Sequence, residues 1–360
     1  MPKIKGNKGE WSELYALVRL LSTGRLYAAD ENVHRRSDLY FPILSIFRNE
    51  FRNIFSRYEI NSKLSEVEIY LNDEQVASLS MKKLREQADV LFYGINQGSR
   101  SAFEIPGADV LMEKLHCCKL KAPSSDKADI VMELHDPMTA YDHVCGFSIK
   151  SDLGHPPTLL NASRATNFIY EVKGISDEEA KVINEISCRD KIIERIRAIN
   201  QHGNMSFVKV ANPVFAKNLI LIDSCMPQIM GALMSYSYQT NEKKLVNISN
   251  YLEETNPLKC LCGHGFYKYK IKNLLCAIAL GMVPAKEWDG TDEANGGYII
   301  VKLDGDVLAY HIYNRDAFKT YLLNNTVLER ASTERHDFAK IYSGSDGKKY
   351  INLNLQIRFQ

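Results

Sequence analysis

The middle of this chain holds two short segments of strand character, Ala128-Asp129-Ile130-Val131-Met132-Glu133-Leu134 and Gly146-Phe147-Ser148-Ile149-Lys150-Ser151. Residues 136–142 between them are polar and turn-forming, so the two segments predict a β-hairpin with one buried face. Side chains alternate along a strand, which puts Asp129 and Glu133 on one face of the first segment and Ser148 and Lys150 on one face of the second. A hairpin cannot bury an apolar face alone, so the remaining elements must supply a sheet and covering helices.

Those elements are legible on both sides. After Gly6-Asn7-Lys8-Gly9, Leu14, Leu17, Val18 and Leu21 recur at helical spacing. Residues 41–58 are expected to form a second helix with Ile43, Ile46, Phe47, Phe51, Ile54 and Phe55 on one side. Residues 67–71 alternate as a strand, and Asn72-Asp73 turns it. Helices are expected at 81–92, 110–116, 177–186, 190–200, 213–237, 269–280 and 314–323, and a strand at 166–172. Residues 298–302 and 307–311 flank Asp304-Gly305, a hairpin signal, and 350–359 reads as a final strand. The fold class is α+β (mixed α/β), in one compact chain without repeats or low-complexity tracts.

Bulk properties narrow the function classes without choosing one. Lys+Arg 45 against Asp+Glu 44 gives a net charge of +1, so a nucleic-acid surface would have to come from segregated charge. The longest apolar runs, 219–222 and 274–283, are too short to span a bilayer. Eight cysteines without a secretory signal read as free thiols of a cytoplasmic protein. Cys260-x-Cys262-x-His264, with Cys276 as the nearest fourth ligand, is a poor zinc site because its pair is spaced too tightly.

The hairpin carries the chemistry. Phosphodiester hydrolysis needs an activated water and neutralised phosphate charge; carboxylates holding Mg2+ and a nearby lysine supply both. Nucleases of the PD-(D/E)XK type place an Asp on one strand and acid-x-Lys on the next. Asp129 and Lys150, 21 positions apart, fit that frame, whereas Ser148 stands where the acid is expected. Glu133, or Glu13 and then Glu10 on the first helix, would share the metal charge; the Gly9-x-x-x-Glu13 spacing favours Glu13. Glu171-Val172-Lys173 is a rival acid-x-Lys triplet on the next strand. Each residue also has an ordinary structural explanation: Asp as a cap, Lys snorkelling at a strand end, Glu complementing a helix dipole.

As a set, Gly6-Asn7-Lys8-Gly9-Glu10-Trp11-Ser12-Glu13-Leu14-Tyr15, Gly146 to Ser151, Pro157-Thr158-Leu159-Leu160-Asn161-Ala162-Ser163, Ser332-Thr333-Glu334-Arg335-His336 and Leu353 to Phe359 resemble the HpaII-type restriction endonuclease family across essentially the whole chain. The resemblance implies a PD-(D/E)XK-like core: a mixed sheet flanked by helices, with helical and C-terminal β-hairpin elaborations. It implies Mg2+-dependent cleavage of double-stranded DNA at a short palindrome, 5'-CCGG-3' being the namesake's. Asp129, Glu13 and Glu133 would be metal ligands, and Ser148, Lys150 and Glu10 would complete the catalytic set. Residues 1–175 would contain the catalytic core, and 176–360 the recognition and dimer contacts of a homodimer. G·C readout needs Arg or Lys donors, and the candidate DNA contacts are Asn161, Ser163, Arg164, Thr166 and Asn167 with Thr333, Arg335 and His336. Two alternatives use the same residues: a structure-specific repair nuclease, and a non-catalytic DNA-binding protein, for which Ser148 is the argument.

Overall fold

The computed structural model describes residues 4–30, 33–51, 54–99, 101–121, 128–260, 265–310 and 315–360. The chain is mixed α and β and divides into two units, Met1–Pro157 with Asp292–Phe318, and Thr158–Thr291 with Lys319–Gln360.

The first unit contains helices α1 (Lys8–Thr23), α2 (Met81–Gln97) and α3 (Ala108–Lys114). Its strands are β1 (Arg25–Ala29), β2 (Arg35–Phe51), β3 (Ile54–Asn61), β4 (Glu66–Leu71), β5 (Glu74–Ser80), β6 (Ile130–His135), β7 (Asp142–Ser151), β8 (Gly297–Val301) and β9 (Val307–Tyr310). They form one nine-stranded sheet in the order β1-β9-β8-β7-β6-β2-β3-β4-β5. β1 pairs with β9 and β8 with β7 in parallel, the other neighbours antiparallel, so the sheet is mixed. β1 also pairs with β2, which closes six strands into a ring and leaves β3, β4 and β5 as an extension.

α1 is buried on nearly every side: Trp11, Leu14, Tyr15, Ala16, Leu17, Val18, Leu20 and Leu21 all belong to the core. A helix apolar all round belongs inside a core. It starts with a capping box between Asn7 and Glu10 and stops at Gly24, which takes the left-handed conformation (φ 63°) that ends helices. The Asn72-Asp73 turn is as expected, both residues having positive φ between β4 and β5.

The expected helix at 41–58 is instead most of β2 and the first part of β3. The cause is a register shift between Ile43 and Ser45 opposite β6. Phe41 and Ile43 are buried on one parity; past the shift the buried hydrophobic is Ile46. That displacement turns a two-residue period into three-residue spacing, which imitates a helix.

In the second unit, Asn204–Val210, Asn167–Lys173, Lys349–Asn354 and Ile341–Ser343 make a four-stranded antiparallel sheet, in that order. Thr326–Leu328, Ile357–Phe359 and Thr158–Leu160 make a three-stranded one. The strand expected at 350–359 is therefore two strands in two sheets. Helices Asp177–Glu185, Lys191–His202, Leu245–Thr255 and Phe266–Leu280 surround them in sequence. The helix expected at 213–237 is two, Pro213–Ile222 and Met226–Thr240, bent by 106°. Pro227, lacking an N–H, sits in the first turn of the second, where no donor is needed. Arg315–Asn324 is helical; Asn314, where that helix was expected to begin, and His311, the expected end of the hairpin strand, lie outside the described residues. No single helix among the described residues is long and apolar enough to cross a membrane.

Candidate active site

The hairpin forms as the alternation requires. Ile130, Met132 and Leu134 are buried, while Val131, Glu133 and His135 between them are half-buried. Ile130 lies opposite Phe147, and the Asp129 N–H donates to Phe147 O at 2.8 Å, extending the ladder by one step and setting Asp129 across from Ser148.

Three expected residues meet here. Asp129 Oδ2 accepts from the Ile149 N–H at 2.6 Å and from Ser148 Oγ at 3.0 Å. Lys150 Nζ donates to the same Ser148 Oγ at 2.9 Å. Ser148, buried at 5% exposure, therefore relays between the lysine and the carboxylate rather than leaving a gap where an acid was expected. The Lys150 ammonium also lies 5.2 Å from the Tyr298 ring centroid, because β8 pairs Tyr298 directly with Ser148.

α1 delivers the helix acid. A buried hydrogen bond of 2.7 Å between Ser12 Oγ and Ser151 Oγ pins α1 to the end of β7, one residue from Lys150. Glu13 and Lys150 then line one cavity of about 630 Å³, with Asn7, Lys8 and His155 among its other walls. Glu10 is committed otherwise. One of its oxygens accepts from the Asn7 N–H at 2.9 Å, and the other pairs with Lys121 at 2.6 Å. Burial works to raise the Glu10 carboxyl, but those two partners outweigh it and hold it below the usual carboxylate range. The Glu10 hydrogen bond raises the Lys121 ammonium; the charges of Glu10, Glu13 and Asp129 act on it in the same direction.

Glu133 stands four residues along β6 from Asp129, about 13 Å at the rise of a strand, and lies opposite Val144 and Ser45. Among the described residues no three His, Cys, Asp or Glu side chains group closely enough to hold a metal by themselves. Cys262 and His264 lie outside the described residues, and the described cysteines are free thiols. The rival triplet sits on Asn167–Lys173, within the four-stranded sheet of the second unit. There Glu171 is taken up by Lys348 at 3.2 Å and Lys173 at 3.6 Å.

The two polar stretches proposed as DNA contacts come together. Asn167 Nδ2 donates to His336 O at 2.9 Å, and Asn354 Nδ2 reaches Ser163 O and Asn167 Oδ1, each at 2.7 Å. Thr166, Asn167 and Thr333 are buried, and the side chains of Thr166 and Asn167 hold this joint instead of facing a ligand. Asn161, Arg164 and Arg335 are exposed, with Ser163 and His336 half-buried between them. Burial, then the charges of Arg335 and Arg164, lower the His336 pKa, so the three basic groups share one patch.

Sequence reasoning missed Ser12, Ser151, Tyr298, Lys121 and Asn354. None has a local signature, since each acts on a partner far along the chain.

Residues 7–359 match the family model described as HpaII restriction endonuclease. The chain is 40% identical over 358 residues to the type II restriction enzyme HpaII of Haemophilus parainfluenzae, the alignment covering 98% of each protein. No solved structure matches the chain.

Proposed function

Because this chain belongs to the HpaII restriction endonuclease family and is a type II site-specific deoxyribonuclease, we propose that it cuts both strands of duplex DNA at 5'-CCGG-3' with Mg2+ as its cofactor. The observation that carries the site is the hydrogen-bonded series Asp129–Ser148–Lys150, with Lys150 lining the same cavity as Glu13. It supports a PD-(D/E)XK-like core in which serine replaces the second acid.

Mg2+ keeps several waters and uses one or two carboxylates plus substrate phosphates. Asp129 and Glu13 fit that requirement; Glu133 is too far along β6 to share an ion with Asp129. When bound, the metal supplies charge neutralisation at the phosphate and acidifies the attacking water. Lys150, positioned by Ser148 and the Tyr298 ring, holds a positive charge where the phosphate gains negative charge. The Ile149 N–H fixes Asp129 Oδ2, so that carboxylate is oriented before any ligand arrives. In this reading the enzyme works in the cytoplasm as a homodimer, one active site serving each strand of the palindrome.

Digestion of unmethylated phage DNA with Mg2+, followed by sequencing of the fragment ends, tests the specificity. Discrete fragments ending at CCGG are expected; ends at another palindrome would overturn the assigned sequence, and ends at flaps or junctions alone would overturn the whole reading.

Arg164 and Arg335 are assigned to DNA. Replacing both with alanine is expected to weaken duplex binding by about 10- to 100-fold and to flatten the salt dependence by roughly one phosphate contact per arginine touching the backbone. The same substitutions remove two cations that depress His336, so its pKa should rise toward about 6.5; proton NMR of the ring reads this directly. An unchanged affinity and salt slope would remove this patch from the interface.

A further inference from the structure

A second cavity lies in the first unit, at the end of α1 away from the candidate active site. It has a volume of about 710 Å³, and its walls include Arg19, Arg25, Arg35, Arg85, Tyr27 and Tyr40. Four guanidinium groups in one cavity repel one another, so their company needs a reason.

Two of the four are answered within the protein. Arg35 forms an ion pair with Asp306, another wall of the cavity, and Arg19 lies 3.7 Å from Asp89. Arg25 and Arg85 pair with no carboxylate among the described residues: Arg25 lies over the Tyr40 ring at 4.6 Å, and Arg85 reaches the Ser22 carbonyl at 3.5 Å. The two tyrosines order this array, with ring centroids 5.6 Å apart and Arg35 over Tyr27 at 4.5 Å. Of the two arginines without a carboxylate partner, Arg25 is held in plane by the Tyr40 ring, though it also hydrogen-bonds Tyr27; a stacked guanidinium of this kind can grip a phosphate through parallel hydrogen bonds. Ser62, Ser65 and Thr23 add hydroxyl groups to the same walls.

We infer that this cavity is a phosphate-binding site for nucleotides, with Arg25 and Arg85 as the principal ligands. Two sources share that chemistry: a backbone phosphate of DNA flanking the cut site, and the phosphate of a free nucleotide. α1 has 16 residues, about 24 Å at 1.5 Å per residue, which corresponds to roughly seven base pairs of duplex at 3.4 Å each. The flanking-DNA source rests on the nuclease reading; the phosphate site itself does not.

The test compares the full chain with its Arg25→Gln/Arg85→Gln double variant in EDTA. Calorimetric titration with pyrophosphate and with adenosine 5'-monophosphate is set beside anisotropy with cognate duplexes of 12 and 30 base pairs. The double variant is expected to lose at least tenfold in pyrophosphate affinity. A matching loss on the 30-base-pair duplex, with the 12-base-pair duplex unchanged, identifies flanking DNA as the source. A loss confined to pyrophosphate and the mononucleotide, with both duplexes unchanged, identifies a free nucleotide. Pyrophosphate that fails to bind the unaltered chain, or binds both forms alike, overturns the inference. The Arg25→Lys/Arg85→Lys pair keeps the charges but not the forks and should fall between the two; equal behaviour of the lysine and glutamine pairs, both at the unaltered value, also overturns it. Failure of the unaltered enzyme to cut DNA would strike the nuclease reading and leave the pyrophosphate result standing.

Discussion

Lys150→Ala and Asp129→Ala are each expected to slow cleavage by about 10²–10³-fold or more, while duplex binding without Mg2+ stays close to that of the unaltered chain. On the proposed site both residues would act at the reacting phosphate and contribute little to holding the duplex, so the loss should fall on the chemical step. Single-turnover cleavage with saturating enzyme measures it, and a gel-shift in EDTA checks binding. Asp129→Asn refines the result: the amide oxygen still accepts from the Ile149 N–H and Ser148 Oγ, so a loss as large as with alanine would show that charge matters and not only orientation. Glu171→Ala is the contrast. Its carboxylate pairs with two exposed lysines, Lys348 and Lys173, and removing ion pairs of this kind should change cleavage less than about threefold. A dead, folded Glu171→Ala with an active Lys150→Ala would reverse the assignment of the two triplets.

Trp11→Ala is expected to be the most damaging single truncation in the first unit, by about 3–5 kcal/mol. Trp11 is fully buried, its ring centroid is 6.3 Å from that of Phe103, and its Nε1 donates to Phe103 O at 3.1 Å. Alanine would leave a cavity and remove one of the two hydrogen bonds that the Phe103 carbonyl accepts. The same carbonyl accepts from the Gly6 N–H, so the entry to α1 would loosen together with its packing. The expected fall in melting temperature is on the order of 10 °C, followed by near-ultraviolet circular dichroism. Trp11→Phe restores most of the volume but not the donor and should cost only about 1 kcal/mol. Equal melting of Trp11→Ala and the unaltered chain would mean that α1 is not the element on which the first unit is built.

What could be read in the sequence was local. Asp129, Ser148 and Lys150 were found because alternation and a polar turn place them on one hairpin, whose two strands are neighbours in sequence. The helix α1 was legible from its apolar spacing, but its Asn7–Glu10 capping box, three positions apart, was not read. The stretch 41–58 was misread because a bulge shifts the buried parity, and only the partner strand reveals a bulge. Thr166 and Asn167 looked like loop residues facing DNA; both are buried, accept from Asn354 Nδ2, and donate to the Ser163 and His336 carbonyls instead. Ser12 with Ser151 and Tyr298 with Lys150 are likewise meetings across long separations, and no spacing rule predicts those. Pro227 was the one visible sign that residues 213–237 would not make a single helix.

The closed ring of strands has a consequence for how the protein is made. Its parallel pairings join Ile149 to Ile299 and Tyr27 to Leu308, so the ring waits for a segment synthesised long after the catalytic hairpin. Contacts so distant in sequence form late and slowly. Until β8 and β9 emerge from the ribosome, β7 and β1 have exposed edges, Lys150 lacks the Tyr298 ring, and the nascent catalytic unit is incomplete. On the proposed site, Lys150 would gain its Tyr298 neighbour only near the end of translation.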